Sequence, residues 1–400
     1  MHGRIPPRTP ARETLGVYIQ VPFCSAKCTY CNFHTGVFPH ALHAPYVDAV
    51  CREIADARAL YGPDRRVLIE PLGELIADTV YVGGGTPSLL APEFLARILD
   101  AVRASFTTEL SEVTLEADPE TIAPQKARAW REAGFNRASL GAQSFRDKEL
   151  MAAGRKHRAA EIAFADSLLR EAGFSNLSYD LIIGLPHQTR ASWAESLDRL
   201  LDLRPEHVSI YMLEVDDGSR LGREILSSGA RYGAAKVPSE DEMADCYELA
   251  RRRLEAASYG HYEISNWAKP GWESRHNLKY WRREPYVGIG AGAHSFNGGE
   301  RWANVHDPAG YMASVARGQL AIEQRELLTA EQVLREKCFL GLRQAGGLNL
   351  NDVDAGPRER MQPQIDRLLA EGLVRMQGGW LQIAPERLSV ANEVIVELLY

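Results

Sequence analysis

The chain has 400 residues, 45% of them hydrophobic, enough to bury a substantial core in two or three domains. A formal net charge of −7 gives no basic field to hold a phosphate backbone or an anionic lipid surface, so nucleic acid is not expected as a partner. No apolar run reaches membrane-spanning length, the opening MHGRIPPRTPARE lacks an apolar export core, and six cysteines are too few for a disulfide scaffold, which together point to a cytoplasmic protein.

After a tail over 1–13, short runs rich in β-branched residues alternate with longer helical stretches as far as residue 215. The runs are LGVYIQV (15–21), ADTVYV (77–82), EVTLEA (112–117), NRASL (136–140), LSYDLII (177–183) and HVSIYML (207–213). Several of the helices between them close on glycine. Six βα units are too few for a closed eight-stranded barrel, and a flat doubly wound sheet is the competing architecture. The polar and glycine motifs each follow the C-terminal end of a run, which would gather them on one rim. The expectation is an α/β fold built on a partial (β/α)6 barrel over 14–225.

After 215 the alternation lapses, and 226–320 reads as an extension of the barrel. SEDE at 239–242 reads as a capping box opening a helix to about Ser258, and YEISNWA and YVGIGAGAHSF read as two more strands. Over 321–400 the order is helix, helix, hairpin, helix: TAEQ caps a helix at Thr329, MQPQIDRLLAEG forms another, and LVRMQ-GG-WLQIA is a two-residue hairpin. This predicts a small α+β winged-helix-like C-terminal domain, serving packing or a protein partner because the chain is acidic.

The first run leads into YIQVPFCSAKCTYCNF, which spaces Cys24, Cys28 and Cys31 as CxxxCxxC in the loop after a strand. Three thiolates can hold three irons of a cubane and leave the fourth open to an outside ligand, whereas an electron-transfer ferredoxin supplies a fourth cysteine nearby. A Cys3His zinc site completed by His34 is the alternative. Cys51, Cys246 and Cys338 fall in helical stretches and read as small core residues.

The spacing, with Tyr30 before the last cysteine, resembles the signature of the radical S-adenosylmethionine (SAM) superfamily. The resemblance implies one [4Fe-4S] cluster on Cys24, Cys28 and Cys31, SAM chelated at the open iron, and reductive cleavage to a 5′-deoxyadenosyl radical. It also implies a flavodoxin or ferredoxin-type electron donor, because the cluster must work near the reducing end of the roughly −700 to +450 mV span of iron–sulfur centres.

GGGTP at 83–87 follows the second run, where bare glycines let a backbone approach a ligand closely; alone it reads as a tight turn. Glu116 ends the third run, Gln143 follows the fourth, Asp180 lies in the fifth and Arg155 lies in GRKH. Singly these read as strand-end caps, a loop hydrogen-bonder and a surface charge. Gathered on one rim they suit a zwitterionic nucleoside: carboxylates for ribose hydroxyls or the sulfonium, arginine for the methionine carboxylate, glutamine for the remaining polar groups. Tyr18 in the first strand completes the set.

YIQVPFC, GGGTPS, LEADPE, LGAQSF, GRKH and DLIIGLP occur in the order found in the coproporphyrinogen III dehydrogenase group, HemN, and its relatives, and the chain is similar to that group over most of its length. The resemblance implies that Tyr18, Gly84, Gly85, Thr86, Glu116, Gln143, Arg155 and Asp180 contact SAM. Two departures mark the subgroup. The dehydrogenases continue as CxxxCxxCxC, whereas Phe33 stands here two residues after Cys31. HNLKYW at 276–281 resembles the HNxxYW segment of the haem-chaperone branch, HemW.

In that segment His276 would ligate haem iron, with Asn277, Tyr280 and Trp281 beside the porphyrin. Gly288, Gly290 and Gly292 leave one strand face bare to a flat ring or to another backbone. The plainer reading makes Tyr280 and Trp281 core residues and His276 a satisfied polar group. The expected function is a haem chaperone that binds one cluster, SAM and haem and passes haem to acceptor proteins, with a homodimer as an admissible assembly. The alternatives are an oxygen-independent coproporphyrinogen III oxidase and a radical SAM haem-degrading methyltransferase.

Overall fold

A computed structural model describes residues 14–60 and 76–399, so the tail expected over 1–13 lies outside the described residues. All six runs form strands: β1 (Thr14–Val21), β2 (Ile76–Gly84), β3 (Thr108–Ala117), β4 (Arg137–Gln143), β5 (Asn176–Ile183) and β6 (His207–Met212). Each pairs in parallel with the next in sequence order. A doubly wound sheet must reverse its strand order part-way. This one never does, which rules out the flat alternative.

The barrel stays open because other strands occupy its two edges. After 258 come β7 (Gly260–Glu263), β8 (Asn266–Ala268), β9 (Tyr286–Ile289), β10 (His294–Phe296), β11 (Glu300–Asn304) and β12 (Ile322–Leu327). β8 lies antiparallel on β6, β9 lies parallel on β1, and β10 to β12 extend that edge. Each of the two strands expected in this region is thus a pair broken by a turn. In YVGIGAGAHSF the turn is made by Gly290 and Gly292, at φ 103° and 72°, backbone that a side chain would strain. The large sheet runs to Leu327, past the expected boundary at 320.

Strand alternation sorts side chains by face. Val113, Leu115 and Ala117 of β3 join the core beneath the outer helices, and so do Leu177, Tyr179, Leu181 and Ile183 of β5. The other face of the same strands is polar: Glu112, Thr114 and Glu116 in β3, Ser178 and Asp180 in β5, His207 and Ser209 in β6. Parallel strands buried on both faces usually read as continuous apolar runs. Here the inner face departs from that pattern: its polar side chains are buried and paired low in the lumen, while Glu116 and Asp180 line a cavity at its mouth.

The expected capping boxes are present at Ser239 with Glu242 and at Thr329 with Gln332. The C-terminal unit holds β13 (Leu348–Asn349), β14 (Val374–Gln377) and β15 (Trp380–Ile383), ordered β13-β15-β14, with helices Ala330–Leu342, Ala355–Ala370 and Ala391–Leu399. Gly378 and Gly379, both at positive φ, make the two-residue hairpin turn. Among the described residues no helix is long and apolar enough to cross a membrane.

The β9 to β11 edge is tied to the barrel by one buried carboxylate. Glu53, on helix His43–Leu60, accepts hydrogen bonds from Gly290 N at 2.9 Å, Asn304 Nδ2 at 2.8 Å and Tyr311 Oη at 2.6 Å. Burial pushes its pKa up to about 7 against the lowering effect of those donors. Glu53→Ala strips the acceptor from three buried donors and is expected to lower unfolding free energy by about 2–4 kcal/mol. Chemical denaturation of wild type and variant measures it, and an unchanged midpoint would show that the edge is held by packing alone.

Candidate functional site

The chain leaves β1 at the rim and is fixed at once. Phe23 is buried against Phe38, His43 and Tyr46. Gly36 N donates to Pro22 O at 3.0 Å and Cys24 N to Gly36 O at 2.8 Å, closing residues 22–36 into a loop that carries all three motif cysteines. The loop is also held from across the mouth. Thr29 N donates to Ala153 O at 3.0 Å, Leu221 N to Thr29 O at 2.7 Å, Arg220 donates to Lys27 O, and Asn32 Nδ2 to Asp216.

Cys24, Cys28 and Cys31 are free thiols of intermediate exposure that line one cavity of about 500 Å³. Among the described residues no three histidine, cysteine, aspartate or glutamate side chains gather around a single ion position. A mononuclear zinc site would need that, with sulfurs about 2.3 Å from one metal. A cubane places each cysteine on a different iron, so three spaced thiols facing one cavity fit it. His34 does not line that cavity; its ring meets that of His306 at a tilt of 35°, centroid to centroid 4.1 Å. Of the other cysteines, Cys246 and Cys338 are buried core residues, while Cys51 is only half-buried beside Arg97.

The glycine segment packs against this loop. Gly85 N donates to Val21 O at 2.8 Å and Thr86 N to Phe23 O at 2.7 Å. A Cβ on Gly85 would stand 2.6 Å from Phe23 O and 2.9 Å from Cys24 Sγ, so only glycine lets the strand pass here. Gly84, at φ 113°, gives its N–H to Glu116 at 2.9 Å. Glu116 also accepts from Tyr81 Oη at 2.8 Å; burial, reinforced by Asp180, pushes its pKa up to about 7. Asp180 takes a hydrogen bond from Ser139 Oγ at 3.3 Å and is likewise raised by burial. Two carboxylates that resist ionisation thus share one wall of the cavity, an environment that favours an incoming cation.

Arg155 reaches the cavity already engaged within the chain. It pairs with Asp118, donates to Gly141 O at 2.9 Å and faces Cys28 Sγ at 3.5 Å. Gln143 lines the cavity from a left-handed backbone, φ 63°, uncommon for a residue with a side chain and found preferentially at functional sites. Gly84, Gly85, Thr86, Glu116, Gln143, Arg155 and Asp180 therefore all line the cavity. Tyr18 does not: it lies beneath the cavity, stacked on Tyr81 at 6.1 Å, its hydroxyl bonded to Gln20 at 2.6 Å. Asp118 and Tyr211 line the cavity without having been singled out. Alternation could have found Asp118, two residues past Glu116 on the same face.

The segment 276–281 is at the other end of the barrel. Helix Arg275–Trp281 closes the lumen below β1 to β3, its first N–H groups received by Glu112: Arg275 N at 2.9 Å and His276 N at 3.1 Å. His276 is buried, with Nδ1 on Thr79 Oγ1 at 2.9 Å and Nε2 on Tyr280 Oη at 2.9 Å. Burial, then Lys279 and Arg137, lowers its pKa to about 3. Both nitrogens are engaged in hydrogen bonds within the chain. Asn277 and Trp281 are partly buried on the same helix, and Tyr280 packs edge-on against Tyr286 at 4.5 Å. The bare strand face meets backbone and side chains of the chain itself: a Cβ on Gly288 would collide with His294 O at 2.2 Å.

Residues 18–200 match the Radical SAM superfamily. The heme chaperone HemW of Mycobacterium tuberculosis (strain H37Rv) is 36% identical over 97% of this chain and 95% of that protein, and the HemW of Escherichia coli (strain K12) is 31% identical over 92% and 94%. Among solved structures, coproporphyrinogen III oxidase, HemN, from Escherichia coli has a TM-score of 0.82 over 97% of this chain and 90% of that one, at 21% identity, a likeness of fold.

Gly85→Ala should displace the cysteine loop. Iron after anaerobic reconstitution is expected to fall well below the about four per chain of one cubane. Gly346→Ala, where an added Cβ meets nothing within 4 Å, serves as the control. Full iron loading in Gly85→Ala would mean that this close approach does not set the position of Cys24.

Proposed function

We propose, from the premise that this chain belongs to the HemW family within the radical SAM superfamily, that it is a haem chaperone. In this reading it holds a [4Fe-4S] cluster on Cys24, Cys28 and Cys31, binds SAM in the adjoining cavity and passes haem to acceptor proteins. The observation that carries the proposal is likeness to proteins of that name across nearly the whole chain, the C-terminal unit included. The cavity supports it with three free thiols at one wall and two carboxylates at another.

The chemistry a cluster of this kind supplies when bound is one-electron reduction of a chelated ligand. The chain's own residues then have separable tasks. Glu116 and Asp180 offer negative charge to a sulfonium or acceptors to ribose hydroxyls. Asp118 fixes Arg155 so that its second nitrogen faces Cys28. Phe33, in the place of the dehydrogenases' fourth cysteine, is 65% exposed at the cavity mouth and offers an apolar contact in place of a thiolate. The segment 276–281 serves as the floor of the barrel.

Anaerobic reconstitution should give brown protein only with Cys24, Cys28 and Cys31 intact, and alanine at Cys51, Cys246 or Cys338 should leave the iron content unchanged. The reconstituted protein should bind haem, read from the Soret band, and should not convert coproporphyrinogen III to protoporphyrinogen IX with SAM and a reductant. Robust turnover would replace the chaperone reading with the oxidase.

SAM affinity should depend on pH through Glu116. Its carboxyl group, with a pKa near 7, is protonated at pH 6 and ionised at pH 8. A sulfonium beside it favours the ionised form, so affinity should rise about fivefold to tenfold from pH 6 to 8 and then level off. Calorimetric titration across that range checks the sign, and Glu116→Gln should flatten the profile.

A further inference from the structure

Both oxygens of Glu116 are held by the chain. Oε1 accepts from Tyr81 Oη at 2.8 Å and Oε2 from Gly84 N at 2.9 Å. Glu116 and Gly84 line the cavity and Tyr81 does not, so the tyrosine reaches the carboxylate without entering the site.

The Tyr81 ring is itself fixed from two sides. It stacks on the His276 ring, with centroids 5.3 Å apart and planes at 29°, and on Tyr18 at 6.1 Å and 28°. His276 forms the base of the group, because its nitrogens bond Thr79 Oγ1 and Tyr280 Oη, each at 2.9 Å. Thr79 precedes Tyr81 by two residues on the same face of β2, so one strand carries both the anchor of the imidazole and the ring stacked on it. Two glycines make room for this column. A Cβ on Gly83 would stand 2.8 Å from Tyr81 Cε1 and 3.0 Å from Glu116 Cδ, and one on Gly16 would stand 2.9 Å from Lys279 Cδ and 3.1 Å from His276 Cε1.

We infer that Tyr81 is a positioning residue for the SAM site, and that the segment 276–281, through the His276 ring packed on Tyr81, sets the geometry of the Glu116 wall. The inference rests on the SAM-binding reading and deepens it, by giving the floor of the barrel a task at the mouth. A phenol that donates to a carboxylate stabilises its ionised form, so the Tyr81 hydroxyl opposes the burial that raises Glu116 to about 7. Asp180 and Asp118 face Glu116 and raise it further. Tyr18, Tyr211 and Tyr280 also face it; burial lifts their own pKa values above the ordinary phenol range, which keeps them neutral. Arg137 adds a fixed positive charge near Tyr81 and Asp180, while His276, lowered to about 3, carries none at neutral pH.

The test is calorimetric titration of the full, cluster-reconstituted chain with SAM from pH 6 to 9. Tyr81→Phe keeps the stacked ring and removes only the donor. The midpoint of its pH profile should move up by about one unit, the weight of one hydrogen bond to a charged group. Affinity at pH 7 should then be about fivefold below wild type and mostly regained by pH 9, with iron content unchanged. In a Glu116→Gln background the same substitution should change affinity less than twofold, whereas a general loosening of the lumen would act in either background. His276→Ala should move the midpoint in the same direction, and His276→Phe, which returns a ring beneath Tyr81, should move it back; melting temperatures establish that both have folded. A wild-type profile in Tyr81→Phe, or an equal loss with and without Glu116, would overturn the role of Tyr81 while leaving SAM binding intact. A wild-type profile in His276→Ala would overturn the role of the segment. Failure of the wild-type chain to bind SAM would overturn the SAM-binding reading and this inference together.

Discussion

How closely the end of β2 can pass the loop after β1 governs the geometry of the rim. The parallel register sets Gln20 beside Gly83 and Val21 beside Gly84, and the pairing continues past the strands as Gly85 N to Val21 O and Thr86 N to Phe23 O. Main-chain bonds, not side chains, therefore fix where Cys24 begins. A methyl group at Gly85 would break that approach, because both the Phe23 carbonyl and the Cys24 sulfur occupy its space. Phe23, locked among three rings, keeps the loop from rotating about this line.

A second constraint follows from the polar lumen. Burying ionisable groups is costly unless each finds a partner. At the floor the partners are supplied by the chain: Glu112 receives the N-terminus of helix Arg275–Trp281, and His276 bridges Thr79 and Tyr280. Toward the mouth the hydrogen-bond donors are neutral: Glu116 accepts from Tyr81 and Gly84 and Asp180 from Ser139, and burial still raises both pKa values. One end of the barrel is thus electrostatically finished, and the other is complementary to a cationic ligand.

HNLKYW carries the residue types of a porphyrin site, and the helix that holds it closes the lower end of the lumen, with His276 bonded to Thr79 and Tyr280.

Much of the fold was legible in the chain because its signals are local. Period-two runs, glycine caps, two capping boxes and a Gly-Gly hairpin each depend on neighbours within a few residues, and all six barrel strands fall where the runs do. Spacing alone also determined the cysteine loop, since three thiols within one loop must share a region of space. What only the tertiary structure decided is where long-range partners fall: Tyr18 beneath the cavity and not on it, Arg155 held by Asp118, two expected strands each folded into a pair, and the segment 276–281 at the far end of the lumen. A strand pattern fixes which face a side chain takes, but the level at which it enters the barrel depends on register against other strands outside any local window. That register is set by packing of the whole sheet, which no local window contains.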